Sequence, residues 1–365
     1  MLVGTIVFGA LAGGFFCCVC CGYKSLKMAI DVIDASADFL ACTVRVIMVP
    51  GVFFFAQIIV VIIWVGAMMC VVSMNEITVD ASVPQGKEII WEDKPKYMAL
   101  YMLFGVLWIC AWFEYASNFI VMVAASTYYF NSDAGLEGDA EVMTGVNWAF
   151  CYHAGSIAIG AFIIAVIRFI RIVFVYLAQQ AEQASGDNQA VKLMVKVAEC
   201  VLACIEKICD YINDSAYAYM AVTGDNFCMS AWNGFLLNIK HILKFSFANM
   251  IAKVFILLGK VAIVAGNMVS LYEIMKYRND LEEVSSLLAP MVLIGVVTFM
   301  TASIFLGLFD TAVMALMTCL AIDMDMNDGS PKYGPPTFHD GVKKIDENTG
   351  EKVAEEGGCI EEQLL

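Results

Sequence analysis

Glu114 is the one charged residue in the run 97–130, YMALYMLFGVLWICAWFEYASNFIVMVAASTYYF. A carboxylate in such surroundings has two options. It can face an interior cavity or a cation as a functional charge, or it can stay neutral and hydrogen-bond a neighbouring helix. The residues beside it say what chemistry the first option would support. Trp108, Trp112 and Tyr115 follow at spacings of four and three, which puts them on one helix face, and Phe104 lies one turn earlier. Glu114 is about 100° from Tyr115 around the helix. Aromatic faces next to a carboxylate suit an organic cation, each face contributing about 0.5–2 kcal/mol. The competing reading of the stripe is helix packing or an interfacial aromatic belt.

The elements that must position these residues are membrane helices. The run 97–130 as a helix would reach roughly 50 Å, against a hydrocarbon core of about 30 Å. Hydrophobic residues make up 61% of the chain, above the roughly half of a soluble domain. The mean hydropathy is +0.76. These values predict an all-α, polytopic helical membrane domain over 1–326 and an acidic tail over 327–365. Six clear spans are expected, at about 2–21, 50–72, 97–130, 149–177, 245–272 and 287–324. A segment over 190–222 has apolar residues at helical spacing with Lys192, Lys196, Glu199, Glu206, Lys207 and Asp210 between them. It lies on the membrane or makes a seventh span; an N-terminus outside and a tail inside would require an odd number of crossings.

Between the spans the pattern changes. Residues 23–49 read as an amphipathic surface helix whose Lys24, Lys27 and Arg45 favour the cytosolic side. Residues 73–96 read as an exposed loop, and 225–244 as an interfacial helix or connection. Arg168 and Arg171, three residues apart near the end of their span, are expected to snorkel to lipid headgroups. The protein is expected in the plasma membrane or an organelle membrane, with its tail in the cytosol.

A net charge of −15 opposes nucleic-acid binding, which needs a basic surface. No phosphate loop, HExxH or GxSxG occurs, so neither an enzyme nor a cofactor is expected. Of the 14 cysteines, Cys17, Cys18, Cys20 and Cys21 cluster at the end of the first apolar run. Packing, acylation and metal binding compete there; no His or second Cys pair at zinc spacing supports a metal, so none is expected.

Four separated segments carry a family pattern. FGVLW at 104–108 and ASTYYF at 125–130 bracket the long aromatic run. YHAGSIAIG at 152–160, with Tyr152, His153, Gly155 and Ser156, precedes IRFIR at 167–171. CIEKICDYINDSAYAYMAVTGDNFCMSA at 204–231 holds Asn213, Tyr217, Asn226 and Cys228, and CLAIDMDMNDGS at 319–330 holds Asp323 and Asn327. In this order the segments resemble the choline transporter-like proteins. The resemblance covers roughly the C-terminal two thirds of that family, which has a further span, an extracellular region and another span before the point where this chain begins. It implies a carrier of choline or a related organic cation, working in a lipid bilayer. His153 would relay a proton or cap a helix. Three positions depart from the pattern: Glu114 where an apolar residue is expected, Ala111 where the family tends to carry an amide, and Met314 where an acid is expected. The alternative is a transport-inactive member that serves as a structural or scaffold subunit and binds protein partners.

Overall fold

The computed structural model describes residues 23–78, 88–185, 189–277, 288–327, 329–336 and 339. The expected span at 2–21, its cysteine cluster and most of the tail lie outside them. Among the described residues the order is α1 (Tyr23–Cys42), α2 (Val44–Val72), β1 (Glu76–Thr78), β2 (Glu88–Ile90), α3 (Asp93–Asn131) and α4 (Val142–Asn147). A wide turn at Trp148–Tyr152 follows, then α5 (Ala154–Ser185), α6 (Gln189–Thr223), α7 (Phe227–Lys240), α8 (Ile242–Tyr277) and α9 (Leu288–Met326).

Five described stretches are long and apolar enough to cross a membrane: Val44–Val72, Asp93–Asn131, Ala154–Gln180, Ile242–Tyr277 and Pro290–Met326. They correspond to five of the six spans expected from sequence. α6 forms a helix as its periodicity predicts but is not among the five, because charged residues interrupt every long apolar window. The chain is thus an all-α polytopic membrane protein with one small hairpin. β1 and β2 pair antiparallel within the expected loop, and the Asn75 side-chain oxygen accepts the Glu92 N–H at 3.1 Å to close its base. α5 starts at Ala154 instead of near 149. Just before it, Trp148–Tyr152 form an i to i+5 turn in which His153 N–H reaches the Trp148 carbonyl at 2.8 Å.

α3 is the hub, packing against α2, α4, α5, α6 and α9, while α8 pairs with α9 and α1 leans on both. Burial divides the long helices into two parts. In α3, Pro95 is the only buried residue before Ala111, whereas from Tyr115 to Tyr129 most side chains are enclosed. α9 follows the same rule: Leu293, Val297 and Met300 are exposed, and Ala312 to Ala321 form core. In α6, Met194, Val201 and Ile208 are exposed, and Asn213 to Ala221 are buried except for Asp214 and Tyr219. One half of the bundle therefore presents apolar side chains to lipid, and the other half is closed on itself.

Candidate functional site

Where the two halves meet, four helices line a cavity of about 520 Å³. α2 supplies Pro50, Phe53, Phe54 and Gln57; α3 supplies Glu114, Ser117 and Asn118; α6 supplies Asp214. α9 completes the wall with Ser303, Ile304, Gly307, Leu308, Asp310 and Thr311. An opening in the wall is expected from the residues themselves. Gly307 has no side chain, and Ser303 and Thr311 turn their hydroxyls back onto the Phe299 and Gly307 carbonyls of their own helix at 2.8 and 3.2 Å.

Three carboxylates share this space. Among the described residues Asp214 and Asp310 have no hydrogen bond or ion pair. Lys253 of α8 acts electrostatically on both, and Lys260 on Asp310 as well, from beyond ion-pair distance. Glu114 differs, because its Oε2 lies 3.2 Å from Arg168 Nη1 on α5. Arg168 also reaches Glu206 through Nε at 3.4 Å and Asp210 through Nη2 at 3.7 Å, both on α6. Arg171 is hydrogen-bonded to Glu206. The two arginines expected to snorkel are instead tied into the bundle, since carboxylates on α3 and α6 lie within their reach.

The aromatic stripe beside Glu114 takes up its helix-packing alternative. Trp108 and Trp112 donate their indole N–H groups to the Ala158 and Ala154 carbonyls of α5 at 3.1 and 3.3 Å. Phe104 sets its ring edge-on to Phe162 and Phe169, each 5.7 Å away. Tyr115 donates to Asp210 at 2.7 Å and leans on Tyr217 at 5.1 Å. These four residues make an α3–α5–α6 seam. Of the five candidates only Glu114 lines the cavity.

The motif residues fasten the closed half. Asn213 donates to the Gly160 carbonyl at 3.0 Å and Tyr217 to the Ile157 carbonyl at 3.1 Å, stitching α6 to α5. A Cβ on Gly160 would overlap the Tyr217 hydroxyl, so only glycine admits this contact. Asn226 caps α7 by accepting the Met229 N–H at 3.1 Å. Asp323 is 1% exposed and accepts from Tyr129 Oη at 3.0 Å, Asn327 Nδ2 at 2.7 Å and the backbone N–H groups of Lys332 and Tyr333 at 2.9 Å each. His153 sits between Phe119 and Trp148 at 5.5 and 6.4 Å, and burial holds its imidazole below the usual range. Tyr152, Gly155 and Cys228 are exposed, and Ser156 is half-buried. Ala111 and Met314 are both buried in the core.

Sequence reasoning did not single out Asp214 or Asp310. Asp310 carried the same signal as Glu114, a lone acid inside an apolar run. Asp214 had no such signal, because it lies on α6, a helix already rich in charge.

A family model described as plasma-membrane choline transporter matches residues 6–325. Choline transporter-like protein 1 of Mus musculus is 30% identical over 236 residues, covering 65% of this chain and 35% of that protein. Choline transporter-like protein 2 of Dictyostelium discoideum is 26% identical over 336 residues, 86% of this chain and 51% of the relative. Choline transporter-like protein 3 of Bos taurus is 26% identical over 332 residues, 88% and 49% respectively. The chain spans about half, or less, of the length of these curated relatives. With the family model covering most of its residues, the chain belongs to the plasma-membrane choline transporter family.

Proposed function

We propose that the chain carries choline or a related organic cation across a membrane, and that the cation binds in the cavity between α2, α3, α6 and α9. The observation that carries this reading is the meeting of Glu114, Asp214 and Asp310 on one cavity, with no cation at ion-pair distance from the last two among the described residues. Carboxylates within a membrane bundle are costly without compensation, and lysines of α8 offset Asp214 and Asp310 only from beyond ion-pair distance, so a cationic ligand in contact with them is favoured. A quaternary ammonium offers no N–H, and its recognition must come from net negative charge and aromatic faces. Phe53 and Phe54 are the aromatic residues that line the cavity, Phe53 with its ring stacked on Phe150 at 6.2 Å and Phe54 exposed. Gln57, Ser117 and Asn118 also line the cavity and offer polar groups to a ligand hydroxyl, the Gln57 amide N–H already donating to the Cys110 carbonyl at 3.2 Å. Phe104, Trp108, Trp112 and Tyr115 enter this scheme as the seam that sets α5, and hence Arg168, against Glu114. The names of the relatives support choline as the cation.

Purified protein reconstituted in liposomes tests the proposal. Saturable choline uptake above empty liposomes is expected, and uptake equal to that of empty liposomes would refute it. A second reading, a transport-inactive subunit of a membrane assembly, draws on α8, whose most apolar window buries none of its residues within the chain. Stoichiometric co-purification with other chains, combined with absent flux, would favour it.

A further inference from the structure

Glu114 belongs to two groups of residues at once. It lines the cavity, and it holds Arg168, whose guanidinium lies outside the cavity wall. The charge count of this second group is uneven. Glu114, Glu206 and Asp210 bring three negative charges and Arg168 and Arg171 two positive ones, which leaves one negative charge uncompensated. The guanidinium also has more partners than it needs. It presents five N–H donors in a fixed fork, and on leaving Glu114 it would keep Glu206 and Asp210. Asp210 is further held by the Tyr115 hydroxyl, so its position does not depend on Glu114.

We infer that Arg168 is the cavity's resident competitor: an incoming monovalent organic cation takes over the Glu114 carboxylate, and Arg168 withdraws onto Glu206 and Asp210. The inference rests on the cavity being the cation site. It makes Arg168 a specificity-determining residue that touches no substrate. In the empty protein it neutralises Glu114, and in the loaded protein its release links occupancy of the cavity to the α3–α5–α6 contact. A ligand that lacked positive charge could not make the exchange, so the device selects for cations as a class. Because Arg168 joins α3, α5 and α6 while the cavity joins α2, α3, α6 and α9, α3 and α6 are common to both groups.

The test is equilibrium binding of radiolabelled choline to the full chain in nanodiscs, with tetramethylammonium as competitor. Arg168→Gln removes the competitor and should tighten binding about tenfold, the size expected for one close charge in a partly screened site. Arg168→Lys keeps a charge but lacks the fork that grips three carboxylates, so a smaller tightening is expected. Glu114→Gln should weaken binding, and adding Arg168→Gln to it should change nothing further, because the two residues act through one contact. A merely structural arginine would give weaker binding in Arg168→Gln and additive effects in the double variant, and either result overturns the inference. Should Arg168→Gln fail to give monodisperse protein, unchanged affinity in Arg168→Lys overturns it equally. No saturable binding to the wild-type chain would instead overturn the cation site, and the inference with it.

Discussion

The two ends of α3 obey different rules. From Asp93 to Cys110 the helix carries exposed Tyr97, Met98, Tyr101, Trp108 and Ile109, and it meets its neighbours chiefly through indole-to-carbonyl bonds and ring edges. From Tyr115 to Tyr129 it is largely enclosed, and polar side chains tie it to other elements: Tyr115 to Asp210, Ser126 to the Ala221 carbonyl, Tyr129 to Asp323. The first part leaves its apolar surface for lipid to cover. The second part satisfies itself, and there a substitution removes a partner that lipid cannot replace. The cavity lies at the change from one rule to the other, where packing is loose enough to leave space and polar groups are close enough to supply charge.

Substitutions in the two halves should therefore differ in cost, and thermal unfolding of the purified protein measures this. Asp323→Asn should be the most damaging. It replaces a carboxylate that accepts four hydrogen bonds with an amide that can oppose one of them, at a cost of roughly 1.5–3 kcal/mol. Gly160→Ala forces a methyl group onto the Tyr217 hydroxyl and should cost about 1–3 kcal/mol; a neutral result would mean that α5 and α6 are less tightly joined than described. Tyr217→Phe removes a single bond to the Ile157 carbonyl and should cost about 1 kcal/mol. Ile62→Ala, on the exposed face of α2, should stay within about 0.5 kcal/mol in nanodiscs; a loss as large as that of Gly160→Ala would erase the distinction between the halves.

The smallest effect is expected in α1, outside the spans. Burial, then Asp34, then Glu137 raise the Asp38 carboxyl above its ordinary value. The folded state then holds the proton more tightly than the unfolded state, so stability falls as pH rises from the ordinary carboxylate value through the raised one. Asp38→Asn should raise the unfolding temperature slightly at neutral pH and leave it unchanged in acid. An equal gain at all pH values would remove the carboxyl as its cause.

Five spans were legible because lipid-facing helices need long apolar runs, and those runs survive in α2, α3, α5, α8 and α9. The lone acid Glu114 was legible for the same reason. Its partner was not, since Arg168 lies 54 residues away and nothing local distinguishes an arginine that snorkels from one that pairs. The aromatic stripe was legible as one face, but spacing alone did not say that α5, and not a cavity, occupies that face. Asp214 became visible only when α6 folded against α3 and α9, because on its own helix it is one charge among many.

Choline binding in nanodiscs, compared between Asp310→Asn and Trp108→Phe, tests the placement of the cation site most directly. Saturable binding to the wild type is expected, with about tenfold weaker binding when the cavity loses the Asp310 charge and little change when the seam loses the Trp108 indole. Unchanged affinity in Asp310→Asn together with lost binding in Trp108→Phe would contradict that placement and would move the cation from the cavity to the aromatic seam.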